Sequence, residues 1–284
     1  MSIKEVSKNR AFEGHVIKYE HHSEELGCDM KFNVFLPKES TSKAVPAIYF
    51  LSGLTCTEDN FIQKSGALAE AAKYGVALVA PDTSPRGISI EGDSDSWDFG
   101  TGAGFYVDAT EEKWAKHYRM YSYVVKELTN LIKEQLPIDS ERVSIMGHSM
   151  GGHGALTIYM KNPSLFKTAS AFSPIANPIN CPWGQKAFKN YLGADNEESW
   201  KQYDAIELLK KHPNERMDIL VDVGTADGFL EKELKIDTLK QVVKEYGRES
   251  EWNIRYQEGY DHSYFFISSF IADHIKHHTK ILLA

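Results

Sequence analysis

Apolar residues in this chain fall into two spacings that alternate from one end to the other. Met30-Lys31-Phe32-Asn33-Val34-Phe35-Leu36-Pro37 alternates apolar and polar positions, which predicts a strand with one wet face. Gly14 to Glu20 has weaker strand character, and the polar stretch Lys38 to Lys43 turns the chain. Val45 to Leu51 is apolar throughout, the pattern of a strand covered on both faces. Ala67 to Lys73 reads as a helix stopped by Gly75, and Val76 to Ala80 as a second buried strand. Tyr121, Val124, Val125, Leu128, Leu131 and Ile132 share one face of a helix that ends before Pro137. Strands are then expected leading into Gly147, at Thr168 to Phe172, Met217 to Val223 and Trp252 to Gln257, with helices over Leu230 to Tyr246 and Ser263 to Leu283. This alternation predicts an α/β fold, with a mostly parallel sheet and helices on both faces. No repeat or low-complexity linker divides the chain, so residues 1–284 are expected to form one domain. Irregular insertions are expected around 82–114 and 177–203.

Composition narrows the function. A chain of 284 residues, 42% of them hydrophobic, builds one large core, and a net charge of −8 argues against a nucleic-acid surface. No run of about 18 apolar residues occurs, so no membrane span is expected. Met1 to Lys8 lacks the apolar core of a secretory signal. Cys28, Cys56 and Cys181 are odd in number and widely spread, unlike a disulfide framework or a metal site, and suit a reducing cytoplasm. Asp93, Asp95 and Asp98 suggest calcium, but Trp97 occupies a ligand position and no acidic terminator follows, so no metal is expected.

Candidate chemistry centres on Gly147-His148-Ser149-Met150-Gly151, with a strand before it and a small-residue helix start after it. This G-x-S-x-G pattern places a serine on a sharp strand-to-helix turn, where side chains at Gly147 or Gly151 would collide with neighbouring backbone. Ser149 is therefore the candidate nucleophile, and the Met150 N–H at the helix start a candidate oxyanion donor. A serine hydroxyl needs a base, and the base an orienting acid. In α/β-hydrolases they follow in the order Ser, Asp/Glu, His, each in a loop after a strand. His262 follows the Trp252–Gln257 strand, and Asp227 follows the Met217–Val223 strand. His274, His277 and His278 lie within the terminal helix, and His212 precedes the acid's strand. Asp222 lies inside a strand and Asp261 adjoins His262, so neither is placed to orient its ring. The loop Ser52-Gly53-Leu54-Thr55-Cys56-Thr57 follows the early buried strand, and its Leu54 N–H is the second candidate oxyanion donor.

Six stretches together resemble the S-formylglutathione hydrolase family, also called esterase D. They are Ser52 to Thr57, Ala80-Pro81-Asp82-Thr83-Ser84-Pro85-Arg86-Gly87, Asp98 to Tyr106, Gly147 to Ala155, Cys181-Pro182-Trp183-Gly184 and Gly259 to Tyr264. The resemblance runs from roughly residue 10 to the end, and its catalytic triad falls on Ser149, Asp227 and His262. It implies a cytosolic thioesterase of the α/β-hydrolase fold that converts S-formylglutathione to glutathione and formate in formaldehyde detoxification. It also implies activity on small carboxylic esters, no cofactor and a homodimer. Cys56 is expected to line the site, His148 to be a pocket residue, and Trp97, Trp183 and Phe229 to form walls, with Trp97 limiting acyl length. Lys64, Arg86 and Lys186 are candidate partners for glutathione carboxylates. A general carboxylesterase or acyltransferase is the rival reading, because one fold hosts many functions. A non-catalytic binding protein would show a broken triad, and none is seen.

Overall fold

The computed structural model describes residues 2–211 and 216–284. Among the described residues, nine strands form one sheet: β1 (Lys4–Ala11), β2 (Gly14–Ser23), β3 (Cys28–Leu36), β4 (Val45–Leu51), β5 (Ala77–Pro81), β6 (Ile138–His148), β7 (Ala169–Phe172), β8 (Ile219–Gly224) and β9 (Trp252–Gln257). Their spatial order is β1-β2-β3-β5-β4-β6-β7-β8-β9. From β5 to β9 every neighbouring pair is parallel, whereas β1, β2, β3 and β5 pair antiparallel. The main helices are α1 (Glu58–Lys64), α2 (Ala67–Tyr74), α3 (Thr129–Gln135), α4 (Met150–Lys161), α5 (Pro182–Leu192), α6 (Ile236–Glu245) and α7 (Tyr264–Leu282).

The unbroken apolar run in β4 follows from its cover. Val45, Ala47, Tyr49 and Leu51 pack into the larger core cluster, and Ile48 and Phe50 into the smaller one. Successive strand residues point to opposite faces, so a strand between two helix layers needs apolar residues at every position. The smaller cluster holds Phe61 of α1, Ala67 and Ala71 of α2, and Phe266, Ile267, Ile271 and Ile275 of α7. The larger holds Leu131 of α3, Leu156 and Ile158 of α4, Phe188 of α5 and Leu239 of α6. The parallel strands β4, β6, β8 and β9 all end toward one rim of the sheet, where the loops that carry the candidate chemistry lie. Among the described residues, no helix is long and apolar enough to cross a membrane.

The structure departs from the sequence reading at five places. β1 is exposed along nearly its whole length, so no apolar alternation announces it. Phe12 and Glu13, with φ of 45° and 64°, close a two-residue hairpin to β2 without the usual Asn-Gly or Asp-Gly signal. The segment 177–203 contains α5 and the short helix Glu197–Lys201, and Pro182 opens α5 at a position where its missing N–H costs nothing. The helix expected over Leu230 to Tyr246 breaks at Lys235, which has φ 56°. Leu234 and Ile236 are both buried there, and residues two apart on a continuous helix cannot face the same core. The helix Glu58–Lys64 continues a stretch read only as loop; Thr57 and Asn60 form its capping box.

His153 on α4 is completely buried, and its Nε2–H donates to the Phe105 carbonyl at 2.9 Å, pinning the 82–114 segment to the helix. Burial lowers its pKa to about 4. Between that value and the ordinary ~6.5 the unfolded chain holds a proton that the folded chain does not, so stability falls with falling pH across the window, by up to ~3 kcal/mol for this site. Urea-unfolding midpoints measured from pH 7 to pH 4 should therefore decline. His153→Gln should flatten that decline; an unchanged slope would contradict the assignment.

Candidate active site

Ser149 sits between β6 and α4 with φ 58° and ψ −119°, a conformation disfavoured for any residue with a side chain. The surrounding backbone holds it there: its N–H donates to Phe172 O at 2.9 Å, and its carbonyl accepts from the N–H groups of His153 at 3.0 Å and Ile175 at 3.2 Å. The glycines make the turn possible. A Cβ on Gly147 would lie 2.1 Å from Gly151 O, and one on Gly151 would lie 1.9 Å from Leu51 O.

The loops after β8 and β9 bring Asp227 and His262 together across 35 residues of sequence. His262 Nδ1 lies 2.6 Å from Asp227 Oδ2. A carboxylate only accepts, so Nδ1 carries the proton and Nε2 presents its lone pair. Asp227 is buried, and its other oxygen accepts the Phe229 N–H at 2.9 Å, which fixes the carboxylate's orientation. Thr225 N–H donates to Gln257 O at 3.0 Å and Ala226 N–H to Tyr260 O at 2.9 Å, so the two loops are tied by backbone as well.

Ser149 and His262 line one cleft of about 300 Å³. Its walls include Leu54, the candidate oxyanion donor, together with Cys56, Trp97, His148, Trp183, Phe229 and Lys64, whereas the other two candidate cations, Arg86 and Lys186, do not line it. The Leu54 and Met150 amides have no acceptor among the described residues. Thr55, with φ 68°, donates its N–H to Gly102 O at 2.9 Å, holding the Leu54 turn. Aromatic rings form a chain outward from His262: Phe229 at 5.0 Å, Trp183 at 4.7 Å from Phe229, and Trp97 at 5.5 Å from Trp183. Trp97 is 55% exposed and Trp183 only 7%, so Trp97 forms the rim and Trp183 the inner wall. His148 is buried with its ring 4.5 Å from that of His262. Burial, and secondarily the neighbouring His262, push its pKa well below the ordinary histidine range, so it stays neutral. Burial raises the Cys56 thiol, with Lys64 partly opposing, so Cys56 remains a protonated wall group.

Among the described residues, the remaining candidate cations, acids and histidines have partners of their own outside the catalytic pair. Arg86 binds Asp82, with Nε–Oδ2 at 3.1 Å and Nη2–Oδ1 at 2.8 Å, and Lys186 lies 2.5 Å from Asp98. Both are absorbed by carboxylates and neither lines the cleft. Asp222 accepts from Arg255 at 2.6 Å and lies 3.3 Å from His274 Nε2, beneath the sheet. Asp261 accepts the Ser263 hydroxyl at 2.6 Å. His274 and His278 are buried on Ser170, and His277 contacts Thr168. His212 lies outside the described residues. No group of three or more metal-ligating side chains occurs among the described residues. Sequence reasoning missed Asn60, Ser263 and Tyr264, which also line the cleft. The signals were present, since Thr57-x-x-Asn60 caps α1 and Ser263 caps α7.

Comparison with known proteins gives concordant results. Residues 23–277 match the model of a family described as putative esterase. The chain is 53% identical to S-formylglutathione hydrolase of Mus musculus, covering 100% of both chains. It is 51% identical to S-formylglutathione hydrolase of Arabidopsis thaliana, covering 99% of this chain and 98% of the relative. Its fold superimposes on the solved structure of an S-formylglutathione hydrolase from Agrobacterium tumefaciens with a TM-score of 0.93, at 44% identity over 98% of this chain and 99% of that one.

The Asp227–His262 contact predicts a specific defect. Asp227→Asn should lower kcat on p-nitrophenyl acetate by about 10⁴ with little change in thermal unfolding, because the amide no longer fixes the histidine tautomer. A loss below about tenfold would contradict the pairing as a catalytic one.

Proposed function

The chain belongs to the S-formylglutathione hydrolase family of esterases, and on that premise we propose that it hydrolyses S-formylglutathione to glutathione and formate through a formyl-serine intermediate. The observation that carries this reading is the single cleft shared by Ser149 on its strained turn and His262 on its buried carboxylate. Ser149 Oγ attacks the formyl carbon as its proton passes to His262 Nε2, and Asp227 stabilises the imidazolium that forms. The Leu54 and Met150 amides receive the oxyanion, at the positive end of α4. The C–S bond then breaks. The departing thiol has an ordinary pKa of about 8.5, so its expulsion needs little help from a proton. The thiolate collects the proton of the His262 imidazolium as it departs. Neutral His262 then takes a proton from water, which attacks the formyl carbon, and returns that proton to Ser149 Oγ as the ester bond breaks and formate leaves.

A formyl group adds only hydrogen beyond its carbonyl, so a narrow acyl side suffices. The inner wall of Trp183 and Phe229 suits that; Trp97, expected to limit acyl length, instead stands exposed at the rim, where it suits contact with the leaving group. Small carboxylic esters fit the same machinery as a side activity. A role in formaldehyde detoxification, a cytoplasmic location and a homodimer belong to the same proposal. The free thiols Cys28, Cys56 and Cys181 suit a reducing compartment. The dimer rests on the family resemblance, and sedimentation equilibrium at the mass of one chain would remove it.

The test is the initial rate of thioester loss with S-formylglutathione beside p-nitrophenyl acetate. The expected result is a large preference in kcat/KM for the glutathione thioester. Good ester turnover without that preference would leave a serine esterase and discard the glutathione substrate.

A further inference from the structure

Among the described residues, the cleft wall contains no carboxylate and one lysine, in a chain whose net charge is −8. Lys64 closes the last turn of α1, is exposed, and faces the cleft with its ammonium 5.8 Å from the centre of the Tyr264 ring. The other charges nearby are already matched. Glu58 and Asp59, at the start of the same helix, are tied to Lys18 at 2.9 and 2.7 Å. Asp227 is taken by His262 and the Phe229 N–H, and Asp261 by Ser263. Arg86 and Lys186 are taken by Asp82 and Asp98. Lys64 has no ion-pair partner among the described residues.

S-formylglutathione carries two carboxylates and one ammonium, all on the leaving group and none on the acyl group. We propose that Lys64 is a specificity-determining residue that receives a carboxylate of the glutathionyl leaving group. This rests on the glutathione thioester being the substrate. Lys64 is exposed at the end of α1 while Ser149 and His148 in the same cleft are buried, so its charge stands at the mouth of the cleft and not at the serine. Its action is therefore in binding the thiol moiety, and a neutral ester without that moiety gains nothing from it. An exposed lysine is a point charge on a flexible stem, so the contribution is moderate and falls with ionic strength.

The experiment compares wild type, Lys64→Met and Lys64→Arg with three substrates: S-formylglutathione, its diethyl ester and p-nitrophenyl acetate. In Lys64→Met, the ratio of kcat/KM for S-formylglutathione to that for p-nitrophenyl acetate should fall ~10-fold, through KM. Lys64→Arg should retain most of the ratio, and the diethyl ester should be turned over equally by wild type and Lys64→Met. A ratio in Lys64→Met within about twofold of wild type overturns the role of Lys64 while leaving the proposed substrate intact. An equal loss on the diethyl ester also overturns it, because the effect would then not run through the carboxylates. A wild type with no preference for S-formylglutathione removes the substrate assignment and this inference together.

Discussion

The contact on which the rest of the structure depends is the crossing of α4 over the end of β4. Gly151 approaches so closely that a Cβ there would lie 1.9 Å from Leu51 O, and the same closeness forces Ser149 into a positive φ. A non-glycine residue in such a conformation costs about 1–3 kcal/mol. Three backbone hydrogen bonds around Ser149 hold it, from strands and turns that are themselves buried between two helix layers. The sheet therefore does two things at once. It supplies the core that makes the strain tolerable, and its parallel strands deliver the loops of Asp227 and His262 to the same rim as the serine.

A second close approach ties those loops. A Cβ on Gly224, at the end of β8, would lie 2.0 Å from Tyr260 O in the loop that carries His262. Asp227 and His262 thus sit on segments that touch backbone to backbone before any side chain is considered. The 2.6 Å contact between them is a consequence of that packing as much as of charge. Around the pair, burial decides which groups are ionic. His148 and Cys56 are held neutral by desolvation, and the cleft's formal charge is left to Lys64 at its edge.

Much of this was legible in the sequence, for definite reasons. β4 and β8 are continuous or near-continuous apolar runs because both faces are covered, β6 becomes buried from Val143 onward, and β9 at the sheet edge alternates apolar and polar residues; Ser149, Asp227 and His262 follow β6, β8 and β9. The glycines around Ser149 mark the turn because no larger residue fits. β1 was illegible because an exposed edge strand has no apolar face, and its hairpin turns at Phe12-Glu13 without a glycine or asparagine. The break at Lys235 was illegible because only the tertiary core requires Leu234 and Ile236 on the same side. The three candidate cations looked alike in sequence. Arg86 and Lys186 were separated from Lys64 only by folding, which sets Asp82 and Asp98 beside the first two.

The central claim is that Ser149 carries the acyl group. Its most direct test is rapid acid quenching of the enzyme during turnover of p-nitrophenyl acetate, followed by peptide mapping of the acetylated protein. The account predicts a single acetyl group on the peptide containing Ser149, absent from Ser149→Ala. Acetylation of another residue that is lost and regained at the turnover rate, with Ser149 unmodified, would contradict it.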